Sequence, residues 1–158
     1  MKSLQPNSLH CFVCGLKNPL GLQLRFYDTG PGEVTVECTL PEMYQGYPGV
    51  AHGGIVAAIL DEAAGRSQMG GDPPRFMFTA RLNVRYRRNV PTGKPIRVIG
   101  RAGDGKRRSA AATSAIYDLE GELLAEADAI LVDVPEEMLA NADLEALGWR
   151  VYPIDEKV

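Results

Sequence analysis

Apolar and polar residues alternate along several short stretches of this chain. Residues 22–26 and 34–40 alternate with a period of two, which predicts two half-buried β-strands. Glycine and proline within residues 29–32 predict a turn between them, so we expect the two strands to form a hairpin. Residues 1–20 contain many turn-forming residues and predict an irregular N-terminal arm ahead of this hairpin.

A longer apolar stretch follows and predicts one long helix over about residues 53–69. Ile55, Ile59 and Leu60 are joined by several alanines, so the helix is apolar on nearly every side. Such a helix is expected to be buried instead of lying on a surface. The glycines and prolines of residues 70–74 predict its end.

Four more stretches of strand-forming residues come after the helix, separated by short turns. Short connections join antiparallel neighbours, and one buried helix needs a sheet to cover it, so the pattern predicts an α+β fold. Residues 110–115 are rich in alanine, which suits a helix, but their place between two turns suits a strand. The predicted strands are residues 76–86, 96–101, 109–117 and 123–132, with turns at 89–93, 103–105 and 118–121 and a short helix within 135–147.

Composition narrows the class of protein. The 158 residues fit a single domain, and the net charge of −3 argues against a nucleic-acid partner. No apolar run approaches the ~18 residues of a membrane span, so we expect no membrane association. The first residues lack the apolar core of a signal peptide, and we expect a cytoplasmic protein.

Three cysteines, Cys11, Cys14 and Cys38, argue against a disulfide framework because their number is odd. Cys11 and Cys14 resemble half of a zinc knuckle, but zinc needs four ligands. The only other candidates are Cys38, His10 and His52, and they form no second pair. We therefore expect a turn with small buried thiols and no metal. A thioredoxin-type redox motif would need a βαβ unit, which the pattern does not predict.

Residues 52–54, His-Gly-Gly, open the predicted helix. The first N–H groups of a helix lack internal partners and carry the positive end of the helix dipole. Because Gly53 and Gly54 have no side chains, a ligand oxygen can approach those N–H groups closely. This is a site for an anion, or for a carbonyl oxygen that becomes one.

Asp61 lies in the middle of this apolar helix. A carboxylate there is unfavourable unless it is paired or functional, and desolvation raises its pKa, as is common for catalytic acids and bases. The alternative is that Asp61 only contacts a polar partner at the helix edge. Together with residues 52–54, nine residues earlier, it favours a catalytic carboxylate. The adjacent Glu62 points about 100° away around the helix and is the weaker candidate.

Residues 52–54 with Asp61 resemble the signature of hotdog-fold acyl-CoA thioesterases, in particular the phenylacetate-pathway branch and the thioesterase-superfamily members of animals. Residues 47–54 and 82–91 are also similar to that family. The resemblance implies a hotdog thioesterase domain over residues 21–134, an antiparallel sheet wrapped around one long central helix. Residues 1–20 are then an arm and residues 135–158 a short helix and tail. The same fold also hosts dehydratases and non-enzymes.

The resemblance implies roles for four catalytic residues. Asp61 matches the carboxylate that attacks the thioester or activates water, and Gly53 matches the residue whose N–H polarises its carbonyl. His52 matches a histidine that orients nearby groups, and Thr79 a hydroxyl that positions the water or the carboxylate. Gln45 is the nearest match to an Asn or Gln that precedes the histidine in some relatives.

Spacing predicts an oligomer. Gly53 and Asp61 are eight residues apart, or ~12 Å along one helix, whereas an attacking atom must lie within ~3 Å of the thioester carbon. We therefore expect Gly53 of one subunit to meet Asp61 of another across a two-fold axis, in a homodimer or homotetramer.

Two basic clusters, Arg85 with Arg87 and Arg88, and residues 106–108, are either solvated surface charges or contacts for the phosphates of CoA. Residues expected at the substrate are Gly54, Gln45, Asn83, Arg87, Arg88, Asn89, Lys106, Arg107 and Arg108.

The resulting hypothesis is a thioester hydrolase acting on acyl-CoA, or on acyl carrier protein, without metal or redox cofactor. One alternative is a module that binds acyl-CoA without turnover, although simple binding needs no buried carboxylate. Another is a hotdog hydratase or dehydratase, but those pair an Asp with a downstream His, whereas His52 precedes Asp61. The acyl group is not predicted.

Overall fold

The computed structural model describes residues 2–71 and 74–158, and there a seven-stranded antiparallel sheet curves around one long helix. This confirms the predicted α+β architecture. The strands are β1 Ser3–Leu4, β2 Tyr27–Gly30, β3 Glu33–Thr39, β4 Gln45–Tyr47, β5 Val50–Ala51, β6 Met77–Tyr86, β7 Pro95–Gly105, β8 Ser109–Asp118 and β9 Leu123–Asp133; the helices are α1 Gly53–Ser67 and α2 Glu136–Ala140.

The large sheet has the strand order β1-β2-β3-β7-β8-β9-β6. Hairpins connect β7, β8 and β9, as the short turns predicted. Strand β6 follows α1 in the chain yet lies at the far edge of the sheet, paired with β9 alone among the described strands. Strands β4 and β5 form a separate two-stranded ribbon that leads directly into α1.

Small residues let α1 lie directly on the sheet. A Cβ atom at Gly100 on β7 would lie 2.1 Å from the carbonyl oxygen of Ala63, so only glycine fits there. Ser114 on β8 donates a hydrogen bond to the carbonyl of Leu60 at 2.7 Å. Helix α1 has 15 residues, and no helix in the described part of the chain combines the length and apolarity needed to cross a membrane.

The prediction of a strand over residues 22–26 was wrong. Leu22 and Leu24 donate backbone hydrogen bonds to the arm, to the carbonyls of Phe12 and Val13, each at 2.8 Å. Gln23 between them has a φ of 52°, outside the range of a β-strand. The apolar residues alternate because they pack beneath the arm, and the strand begins only at β2.

Other boundaries differ in smaller ways. Helix α1 ends at Ser67, two residues before its predicted end, and of the predicted stop 70–74 residues 72 and 73 lie outside the described part. The alanine-rich residues 110–115 lie in β8. Strand β7 continues through the turn predicted at residues 103–105, and the helix predicted within 135–147 is the single turn α2.

The N-terminal arm is tied to the rest of the molecule. Strand β1 pairs with β2 at the sheet edge. The buried Asn7 side chain donates hydrogen bonds to the carbonyls of Cys14 and Leu24, at 2.7 and 2.8 Å. Arg66 of α1 donates a hydrogen bond to the carbonyl of Pro6 at 2.8 Å, so the arm lies against one side of α1.

Candidate active site

Asp61 and Thr79, predicted to act together, are in direct contact. The Thr79 hydroxyl donates to Oδ1 of Asp61 at 2.6 Å, a short hydrogen bond of the charge-assisted kind. Thr79 stands near the start of β6, at an irregularity of its pairing with β9 between Thr79 and Arg81. Oδ2 of Asp61 accepts no hydrogen bond from the described residues, so one carboxylate oxygen has a fixed partner and the other is available.

The side chain of Asp61 is half-buried, less enclosed than an apolar helix predicted. The reason is the position of β6: Asp61 faces the sheet edge, where one strand covers it from one side only. Beside it lies a small pocket with apolar walls from Met69, Phe76 and Met77.

At the other end of the same stretch, His52 caps α1. Its Nδ1 accepts a hydrogen bond from the Gly54 N–H at 2.9 Å, which assigns the ring proton to Nε2. The N–H groups of Ile55 and Val56 bond to the carbonyl of His52. The Gly53 N–H has no acceptor in the part of the chain that the structure describes. Of the two glycine amides, the one at Gly53 is therefore available to a ligand, and the one at Gly54 is occupied.

Tyr86 is a site residue to which the sequence analysis gave no role. Its phenol donates to the carbonyl of Gly53 at 2.7 Å and so holds the start of α1 against the end of β6. A Cβ atom on Gly53 would lie 3.4 Å from this hydroxyl oxygen, an ordinary contact. Tyr86 lies within the family-like residues 82–91, but its contact depends on how β6 is aligned with α1.

Gln45 lies close to the helix start. It is on β4, directly across the ribbon from Ala51, the residue before His52. The backbone carbonyl of the adjacent Tyr44 accepts a hydrogen bond from the His52 N–H at 2.8 Å. The ribbon thus brings exposed Gln45 to the same end of α1 as Gly53.

The side chains of Asn83 and Arg87 point away from the start of α1. Leu82 packs against the core, and side chains alternate along a strand, so Asn83 projects from the outer face of the sheet. Arg87 is on that face too, where its Nη2 lies 2.6 Å from Glu126. Within one chain, neither residue meets Asp61 or Gly53.

Carboxylates neutralise the rest of the first basic cluster. Arg85 pairs with Asp128 at 3.0 Å, and Arg88 with Glu122 at 2.6 Å. Exposed pairs of this kind are weak, so the guanidiniums are held only loosely. Asn89 lines the same surface groove as Arg88, beyond the end of β6.

The second basic cluster, Lys106, Arg107 and Arg108, is the turn of the β7–β8 hairpin. These exposed residues form no salt bridge with any described residue. The Arg108 carbonyl accepts the Asp133 N–H at 3.1 Å, and Asp133 lies opposite Met77, the first residue of β6. This unpaired positive charge therefore lies at the end of the sheet where β6 leads into Thr79.

Together these contacts show that β6 runs antiparallel to α1: Tyr86 meets Gly53, and Thr79 meets Asp61. The carboxylate and the helix-start amide lie ~12 Å apart along α1. Within one chain, the amide predicted to bind the carbonyl oxygen and the carboxylate predicted to act on the thioester are therefore too far apart to serve one substrate group.

A sheet wrapped around one long helix defines the hotdog class of α+β proteins, as the sequence predicted. Residues 48–125 match the family model of the thioesterase superfamily, which confirms the resemblance. No curated protein sequence matches the chain.

Solved structures agree on the fold. A protein described as a thioesterase superfamily protein is 29% identical with a TM-score of 0.73, over 79% of this chain and 61% of that one. The chain thus spans about three fifths of that relative. A Streptococcus mutans protein bound to acetyl-CoA is 17% identical, with a TM-score of 0.63 over 70% of this chain and 88% of that one. Zebrafish thioesterase superfamily member 2 is 19% identical, with a TM-score of 0.67 over 77% and 92% of the two chains.

Proposed function

We propose that this protein is an acyl-CoA thioesterase that hydrolyses the thioester to a free acid and CoA. The observation that carries the proposal is the state of Asp61: its carboxylate is oriented by the Thr79 hydroxyl, and its second oxygen is unpaired among the described residues beside a partly apolar pocket. A Streptococcus pneumoniae neighbour described as a hypothetical thioesterase with coenzyme A supports the same substrate class.

In this proposal the Gly53 N–H donates a hydrogen bond to the thioester oxygen as negative charge develops on it. Removing one such donor typically costs about 10²- to 10³-fold in rate. Asp61 either attacks the thioester carbon or removes a proton from the water that does so. The C–S bond then breaks, and CoA leaves as a thiol after taking up a proton. If Asp61 attacks, the acyl group is left on it as a mixed anhydride, and water then hydrolyses this anhydride to the free acid and restores the carboxylate. If Asp61 acts as a base, the proton that it takes from water passes to the leaving thiolate.

The complete site is proposed to form between two protomers. Strand β6 has ten residues, and no described strand covers its outer edge, a condition that proteins usually avoid by pairing or blocking the edge. If two β6 strands pair antiparallel about Asn83, Thr79 lies opposite the partner subunit's Tyr86, because the irregularity between Thr79 and Arg81 inserts one extra residue into β6. Asp61, bound to Thr79, then approaches the partner subunit's Gly53, which is bound to Tyr86.

The same pairing supports the predicted substrate contacts. Residues 106–108 lie beyond the Thr79 end of β6, and Arg88 lies beyond the Tyr86 end. Antiparallel pairing would bring the two basic ends together. The unpaired cations of residues 106–108 are the better candidates for the CoA phosphates, since Arg88 already has Glu122.

The test is thiol release from a panel of acyl-CoAs by the wild type and Asp61→Asn. We expect the wild type to release thiol and the variant to be slower by about 10²- to 10⁴-fold with unchanged thermal unfolding and acyl-CoA binding. Binding without thiol release by the wild type would instead support the non-catalytic module, and hydration of an enoyl-CoA would support a hydratase. Equal turnover by both proteins would reject the role of Asp61.

A further inference from the structure

A second group of reactive side chains lies where the arm crosses α1. Cys11 and Cys14 are on a helical turn closed by the hydrogen bond from the Gly15 N–H to the Cys11 carbonyl at 2.8 Å. The two sulfurs and one carboxylate oxygen of Glu62 all lie within 4.8 Å of one another. The thioesterase mechanism uses none of these groups.

The two thiols are in different environments. Cys11 is half-buried, so a small molecule can approach it, whereas Cys14 is 2% exposed. The Cys14 N–H points at the Cys11 sulfur, 3.5 Å away, an arrangement that favours negative charge on Cys11. The Cys11 thiol in turn donates to Oε2 of Glu62 at 3.8 Å, which offers a route for its proton.

Buried Arg66 places a positive charge within this cluster. Its Nε lies 2.7 Å from Oε1 of Glu62, and its Nη2 has no hydrogen-bond partner among residues 2–71 and 74–158. A fixed guanidinium repels a divalent cation, and only three potential metal ligands, Cys11, Cys14 and Glu62, converge among the described residues, whereas structural zinc sites use four. The cluster is therefore suited to thiolate chemistry and not to holding a metal.

The pKa values of the two thiols differ in the same way as their environments. The hydrogen bond with Cys14 lowers the pKa of Cys11 to about 6, against the opposing effects of burial and of the negative charge on Glu62. The hydrogen bond with Cys11, together with burial, raises the pKa of Cys14 to about 12. Cys38, by contrast, has a pKa raised to about 11 by burial alone. A reachable thiol with thiolate character beside a shielded partner is the arrangement of an attacking and a resolving cysteine.

We propose that Cys11 and Cys14 form a redox-active dithiol that exchanges with low-molecular-weight disulfides. The Cys11 thiolate attacks one sulfur of the small disulfide, the S–S bond breaks, and one small thiolate leaves and takes up a proton. Cys14 then attacks the Cys11 sulfur of the mixed disulfide, passes its proton to the second leaving thiolate, and closes the Cys11–Cys14 bond. The protein loses two electrons and two protons, and the small disulfide is reduced to two thiols.

Glutathione disulfide is the probe, and intact-mass measurement after quenching with an alkylating agent is the readout. The wild type and the control variant Cys38→Ser are expected to lose two hydrogen atoms and resist alkylation at the two arm cysteines. Cys14→Ser is expected to stop at a glutathione adduct on Cys11, and Cys11→Ser to form neither product.

A folded wild type that keeps both arm thiols reduced in excess glutathione disulfide would overturn the proposal. So would stoichiometric zinc that accompanies the purified protein and protects both thiols. If the cysteine variants fail to fold, the proposal can still be tested on the wild type by measuring the alkylation rate of each cysteine with peptide mapping. Cys11 must react at least about tenfold faster than Cys38 at neutral pH, because thiolate is the nucleophile, and equal rates would reject the assignment.

Discussion

At the scale of single residues, α1 carries two different groups at two positions: the carboxylate of Asp61 and the amide of Gly53. Asp61 is held by a hydroxyl from β6, while the Gly53 amide is left unpaired among the described residues because His52 satisfies its neighbour Gly54. The chemistry proposed for Gly53 thus depends on a side chain that caps the helix without blocking its first N–H.

Thr79 provides a direct test of how Asp61 is oriented. Thr79→Val keeps the shape of the side chain but removes the donor, and a hydrogen bond to a charged group contributes about 1.5 to 3 kcal/mol. We expect kcat for acyl-CoA hydrolysis to fall by about 10- to 100-fold, whereas Thr79→Ser keeps most of the activity. If both variants turn over like the wild type, the Thr79 hydroxyl has no part in the reaction.

Residue types on the helix were predictable, and their tertiary partners were less so. Asp61 and residues 52–54 are spaced along one element, so their placement follows from helix geometry, and the pairing of Asp61 with Thr79 came from the family resemblance. Tyr86 was not assigned a role because its contact with Gly53 requires the register between β6 and α1. The half-exposure of Asp61 likewise depends on β6 being an edge strand.

At the scale of elements, the close approach of α1 to β7 decides where the site can form. The approach requires glycine at position 100, since a methyl group there would overlap the carbonyl of Ala63. Local pattern could predict a helix and a sheet, but not this contact. The same limit explains the wrong strand at residues 22–26, whose alternation reflects burial under the arm.

Gly100→Ala tests that contact. We expect it to lower the free energy of unfolding by about 1 to 3 kcal/mol, because the helix must shift to admit the methyl group. Gly65→Ala on α1 is the matched control: apart from the helix's own backbone and the two chain neighbours, no atom lies within 4 Å of its added Cβ, and alanine favours a helix by about 1 kcal/mol. Denaturant unfolding measures both, and a Gly100→Ala protein as stable as the wild type would contradict the packing described here.

At the scale of the whole molecule, charge is distributed unevenly about the sheet. The arginines at the end of β6 have carboxylate partners, while residues 106–108 have none among the described residues. The sequence shows residues 106–108 as a basic cluster, but its lack of carboxylate partners and its place near the start of β6 follow only from the pairing of the strands.

Neutralising residues 106–108 to alanine is expected to raise KM for acyl-CoA by about tenfold at low salt, since charge-assisted bonds to the phosphates are lost. KM for the matching acyl-pantetheine, which lacks the nucleotide phosphates, should not change. Equal effects on both substrates would assign these residues a structural role instead.

A site shared between two subunits can be tested with one heterodimer. Gly53→Pro removes the N–H while suiting the first position of a helix, and the ψ of 137° at His52 is compatible with a following proline. Gly53→Ala, which keeps the N–H but adds a side chain, is the control and should lose less activity than Gly53→Pro.

The measurement is thiol release by a purified dimer that combines one Asp61→Asn subunit with one Gly53→Pro subunit. If each site takes Asp61 from one subunit and the Gly53 N–H from the other, one of the two sites is intact. The heterodimer should then regain about half of the wild-type activity per dimer, while each homodimeric variant stays inactive. A heterodimer as inactive as its parents would contradict the shared site.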